Sequence, residues 1–152
     1  MAAEMMGQAR GADVLACLDW MVQGQAAASD ILKGAHAMTD VTGFGLAGHL
    51  RGICEASEVG ARITRSTIPV MAGAEELSTA GIRSSLFDDN RQGAGPIEGP
   101  TCGLFYDPQT AGGLLAAVGA QEADKCLDRL VAAGYRAAII GEITENRTIT
   151  IV

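Results

Sequence analysis

An α+β domain with a mixed β-sheet flanked by helices is the fold this sequence predicts, and three observations carry it. Apolar residues recur at helical spacing in the alanine-rich opening, after Gly45 and after Glu122. Between these stretches lie short runs of extended character, bounded by glycine and proline. The last third reads strand, strand, helix, strand, strand, an order that suits a mixed sheet with helices against it.

Taken in chain order, the opening lacks proline, and Val14, Leu15, Leu18, Met21 and Val22 make one apolar stripe. Residues 1–33 are therefore read as a helical lead-in packed on the domain, with Trp20 assigned to the core. His36 starts a short strand that ends at Asp40. Thr42, Gly43 and Gly45 then open a helix whose inner positions are Leu46, Leu50, Ile53 and Cys54. A strand near Ala61 to Thr64 leads through Ile68, Pro69 and Val70 to a second helix, from about Ala72 to Gly81. Residues 84–101 show no sustained period and read as a long loop, a length that in compact domains tends to be functional or disordered.

Beyond it, strands are expected at Gly103–Tyr106 and Leu114–Val118, a helix from about Glu122 to Ala133, and strands at Ala137–Ile143 and Thr148–Val152. Ala123, Cys126, Leu127, Leu130 and Val131 form the stripe that this helix should bury, and Gly134 stops it. The last two strands flank the turn-like Glu145, Asn146 and Arg147 and suggest a hairpin.

At 152 residues the chain suits a single domain, 1–152, with one core. Hydrophobic residues make up 48% but aromatics only 4%, which argues against base-stacking surfaces. The net charge of -7 opposes a nonspecific grip on nucleic acid. It is compatible with a nucleotide carried by Mg2+, because the metal inverts the local sign. Cys17, Cys54, Cys102 and Cys126 include no CxxC pair and read as free thiols rather than a zinc site. No apolar run approaches the roughly 20 residues of a membrane span, so no membrane partner and a cytoplasmic location are expected.

The segment HAMTDVTGFGLAGHL, residues 36–50, concentrates the candidate chemistry. The first N–H groups of a helix lack internal partners and its dipole makes that end attractive to anions. Gly43 and Gly45 would let a phosphate approach the backbone, Thr42 would cap the helix, and Asp40 would hold Mg2+, which commonly takes one or two carboxylates with substrate phosphates. The competing reading is that Asp40 and Thr42 are only caps and the glycines only a tight turn, and spacing alone favours it. No GxGxxG or GxxxxGK[ST] fingerprint is present. His36 and His49 lack a recognised metal-ligand spacing; His36 is close enough in sequence to share a cleft with Asp40.

A second block, LFYDPQTAGGLLAA at residues 104–117, changes the balance. TDVTGFG followed by DPQT, a small residue and a glycine pair resembles the carboxy-terminal half of the selenophosphate synthetases, also called selenide, water dikinases. The resemblance covers nearly the whole chain; Ala111 stands where a serine is usual, and Gln23 near an expected asparagine. It implies an AIR-synthase-like carboxy-terminal domain within an enzyme that makes selenophosphate, AMP and phosphate from ATP, selenide and water. It further implies Asp40 as the metal ligand and Thr42, Gly43 and Gly45 as the nucleotide-facing residues. Arg91, in an Asn90–Arg91 pair that recurs in the family, is either a phosphate partner or a solvated surface residue, whereas Asp107, Gln109 and Thr110 would be scaffold. The family's amino-terminal half, with most of the ATP site, further metal-binding aspartates, a catalytic lysine and a cysteine or selenocysteine, has no counterpart in these residues. The fragment is thus expected to be inactive alone, and the complete enzyme a homodimer. Alternatives are another enzyme of the same superfamily or a non-catalytic binding and assembly module.

Overall fold

The computed structural model describes residues 1–152. The lead-in is three helices, α1 (Ala2–Met5), α2 (Gly11–Met21) and α3 (Ala26–Ile31), followed by β1 (Ala37–Asp40), α4 (Gly45–Ser57) and β2 (Gly60–Ile63). Then come α5 (Ala74–Thr79), α6 (Phe87–Gly93), a 3-10 turn at Gly103–Tyr106, β3 (Leu114–Ala117), α7 (Ala120–Ala132), β4 (Gly141–Thr144) and β5 (Ile149–Ile151). The α+β class holds. No helix is long and apolar enough to cross a membrane.

The strands form two sheets rather than one. β1 and β3 make an antiparallel ribbon, with Ala37 opposite Ala117 and Asp40 opposite Leu114. The mixed pairing is confined to the order β4-β2-β5, with β4 antiparallel and β5 parallel to β2. The expected terminal hairpin is therefore split, because β2 lies between its two arms. Ala61 and Ile63 of β2 stand beside Ile149 and Ile151 of β5, and all four are buried. Gly60 makes the crossing possible: a Cβ there would collide with the carbonyl oxygens of Asn146 and Thr148, which run over the start of β2.

One cluster forms the core: Ala47, Leu50 and Cys54 of α4, the β2 and β5 residues just named, Ala94, and Phe105 and Tyr106 of the 3-10 turn. Burial pushes the Cys54 thiol up, away from reactivity. The lead-in and α7 are different. No residue of α2 or α7 is buried, and Leu15 and Val131 are 66% and 56% exposed. The remaining stripe of α7, from Ala123 to Leu130, instead lines an apolar groove of about 990 Å³ shared with Trp20, β3 and residues 137–143. Trp20 is not core but half-buried, with the Arg136 guanidinium 4.2 Å over its ring. Tyr135 joins this layer to the lead-in, donating to the Gly24 carbonyl at 2.8 Å and accepting from the Ala28 N–H at 3.3 Å.

Two further expectations fail locally. Residues 84–101 are not one long loop, since 87–93 is α6, with Asp88 and Asp89 in the first turn, where a helix dipole favours acids. Residues 103–106 turn in 3-10 geometry instead of extending, because Phe105 and Tyr106 must both enter the core beneath α4, which an alternating strand would forbid.

Candidate functional site

Asp40 is the last residue of β1. Alternation along the strand half-buries Ala37 and Thr39 and leaves Met38 and Asp40 exposed, so the carboxylate faces solvent. His36 stands just before the other end of β1, anchored by its N–H to the Ala117 carbonyl at 2.8 Å, so the strand separates the two rather than gathering them.

The turn after Asp40 is held on every side. The Val41 N–H donates to the Gly113 carbonyl at 2.9 Å, and the Thr42 carbonyl accepts from the N–H groups of Gln109 at 3.0 Å and Gly45 at 3.1 Å. The Thr42 N–H donates to His49 Nε2 at 3.0 Å, and Thr42 Oγ1 lies 3.3 Å from the same nitrogen. Thr42 therefore does not cap α4. The helix starts after Phe44 with no side-chain cap at all, which leaves the anion-attracting end without a competing side chain.

The two glycines differ. Around Gly43 nothing lies within 4 Å of where a Cβ would stand. Gly45 has φ +68°, and its Cβ would meet Phe105 O at 2.8 Å and Tyr106 C at 2.9 Å. The space freed at Gly45 is thus filled by the protein's own backbone, whereas Gly43 remains open to an incoming group.

The two sequence blocks interlock here. A Cβ on Gly112 would strike the Val41 carbonyl, so the second block presses on the turn of the first. Gln109 Nε2 donates to the Asp107 carbonyl and to Asp107 Oδ2, both at 3.2 Å. Asp107 is half-buried, and that burial raises its carboxyl pKa against the opposing Gln109 bond.

Asn90 completes the site and is the buried polar residue of the chain. Its Nδ2 donates to the Gly43 carbonyl at 2.8 Å and the Tyr106 carbonyl at 2.9 Å, joining α6, the turn and the core. Arg91 follows on the exposed side of α6 with no ion pair or hydrogen bond. Sequence reading singled out Asn90 by its pairing with Arg91 but could not assign it this role. No local pattern in the sequence marks His49 as the acceptor for Thr42. No group of three or more His, Cys, Asp and Glu side chains is arranged to hold a metal.

Comparison with known proteins follows the same lines. Residues 12–152 match the family described as AIR synthase related protein, C-terminal domain. The selenide, water dikinase of Dechloromonas aromatica is 35% identical over 141 residues, covering 88% of this chain and 36% of that protein. That of Pseudomonas aeruginosa is 34% identical over 157 residues, covering 98% and 45%. The chain thus spans less than half the length of these curated relatives. Among solved structures, E. coli HypE, a hydrogenase maturation protein, aligns with a TM-score of 0.64 at 20% identity, over 86% of this chain and 37% of that one. HypE in complex with ATP aligns at 0.54 and 20% identity, over 73% and 28%. With the interlocked blocks, the α+β architecture and nearly the full length accounted for, the chain belongs to the AIR synthase related protein, C-terminal domain family.

Proposed function

We propose that this chain acts as the carboxy-terminal domain of a selenide, water dikinase, presenting Asp40 to the Mg2+ that accompanies ATP. The observation that carries the reading is the exposed carboxylate at the end of β1, beside an open Gly43 and an uncapped α4, on a turn fixed by both family blocks. Similarity to relatives named for that activity supplies the substrate class.

The residues fit the metal in one respect that can be checked. Mg2+ keeps several waters and takes one or two carboxylates together with phosphates, so a single exposed aspartate suits a shared site and not a closed protein cage. When bound, the ion would neutralise charge on the phosphates during transfer. Asp40 would hold it, Gly43 would admit a phosphate to the backbone, and the exposed Arg91 would add a positive charge from α6. Thr42 contributes by the placement of its peptide and Gly45 by close packing. Most of the ATP site belongs to the amino-terminal half that such an enzyme carries, so this domain alone is inactive and the complete enzyme works as a homodimer.

The test is selenide-dependent AMP formation by the complete enzyme containing this domain. Turnover that needs both ATP and selenide supports the reading, and ATP turnover indifferent to selenide would move the domain to another enzyme of the superfamily. Absence of any ATP turnover, with no ATP-binding half to join, would favour a binding module.

A further inference from the structure

Thr42 spends its backbone N–H on a titratable side chain, His49 Nε2, at 3.0 Å. A ring nitrogen that accepts a hydrogen bond must carry a lone pair, so the contact requires a neutral imidazole with its proton on Nδ1. The same residue is gripped through its carbonyl by the N–H groups of Gln109 and Gly45, and the ring packs against Phe44 with centroids 5.6 Å apart. A protonated ring would set two donors, Nε2–H and the Thr42 N–H, against each other. It would keep Thr42 Oγ1, at 3.3 Å, as an acceptor and lose the backbone.

The charged and titratable groups on elements packed against α4 are Asp40 on β1, Arg62 on β2, Asp88, Asp89 and Arg91 on α6, and Tyr106 on the 3-10 turn with Asp107 just after it; α4 itself also carries Arg51, Cys54 and Glu55. His49 forms an ion pair with none of them, for Arg51 pairs with Glu55 and Arg62 with Glu142. An imidazolium at this place would have no carboxylate paired with it to offset the lost bond.

We infer that His49 is a positioning residue whose unprotonated Nε2 holds the Thr42 peptide, and that protonation of the ring releases the turn between Asp40 and Gly45. The consequence for ligand binding rests on the function proposed above; the latch itself does not. In acid the carboxylate would remain on β1 while the backbone beside it loses its fixed orientation.

The experiment is an NMR titration of the 152-residue chain from about pH 8 to about pH 5, the range in which imidazoles titrate, following the His49 ring nitrogens and the Thr42 amide. The expected result is the Nδ1–H tautomer at the upper end. As the ring protonates, Thr42 amide exchange, corrected for its intrinsic pH dependence, should accelerate about five- to tenfold, the weight of one neutral hydrogen bond. His49→Gln, which keeps an acceptor without a titration, should leave the Thr42 amide protected throughout, its melting curve confirming the fold. An Nε2–H tautomer at high pH, or a Thr42 amide indifferent to ring titration, overturns the inference. The titration uses no ligand, so its failure overturns the latch and leaves the metal role of Asp40, which is tested with ATP in the complete enzyme, standing.

Discussion

The half of the molecule built on α4 and the half built on α7 start from the same kind of sequence and end differently. Both helices are 13 residues long with an apolar stripe at helical spacing. In α4, Ala47, Leu50 and Cys54 are sealed under β2, β5 and the 3-10 turn. In α7 the corresponding stripe is only half-covered and looks into a groove of about 990 Å³. Periodicity tells which face of a helix is the inner one; how much lies over that face is decided by elements distant in sequence. The turn carrying Asp40 is joined to the sealed half, through Gly45 and Asn90, and this is why a solvent-facing carboxylate can be held in a defined place.

The sharpest way to break this comparison is truncation in each half. Ile151→Ala, at a site 2% exposed, should cost about 2–5 kcal/mol in urea unfolding, whereas Leu127→Ala in α7 should cost about 1 kcal/mol. Equal costs would mean that the groove is as well packed as the core. Next come the glycines. Gly45→Ala, at φ +68° and against the Phe105 carbonyl, should destabilise by about 1–3 kcal/mol in the same assay, and Gly43→Ala by under about 1 kcal/mol.

Asn90→Ala should follow, at about 1–2 kcal/mol, because it strips the Gly43 and Tyr106 carbonyls of a donor. Hydrogen exchange should then rise across the turn more than across α7. The smallest effect belongs to Asp107. Its carboxyl is raised from the ordinary 3.8 by burial, so between that value and the raised one the folded chain binds more protons than the unfolded. Stability therefore falls as pH rises through that window and stays lower above it. Asp107→Asn should flatten this slope in melting curves recorded across the acid range, and an unchanged slope would show that burial there is not the cause.

Much of this was legible in the sequence. The strand into Asp40, the helix after Gly45 and the helix ending before Gly134 are set by local periodicity and punctuation. Pairing was not legible, since the choice of β2 as the strand between β4 and β5 depends on Gly60 admitting a connection some 85 residues further along. α6 escaped notice because FDDNRQG has a single aromatic and no apolar stripe, its order coming from Asn90 reaching the Gly43 and Tyr106 carbonyls. At the site, the short strand that delivers Asp40 to a helix start was legible, while its outward-facing carboxylate, the His49 contact and the distinct duties of Gly43 and Gly45 needed the folded turn.

Asp40 sits outside the packing and, in the function proposed, serves a ligand. The most direct test is Mg2+-dependent ATP binding by the complete enzyme, measured by calorimetry for the parent and for Asp40→Asn. The expected result is the same melting temperature and an affinity lower by at least about tenfold, the weight of one contact to a charged group. Unchanged affinity, or a variant that fails to fold, would contradict it.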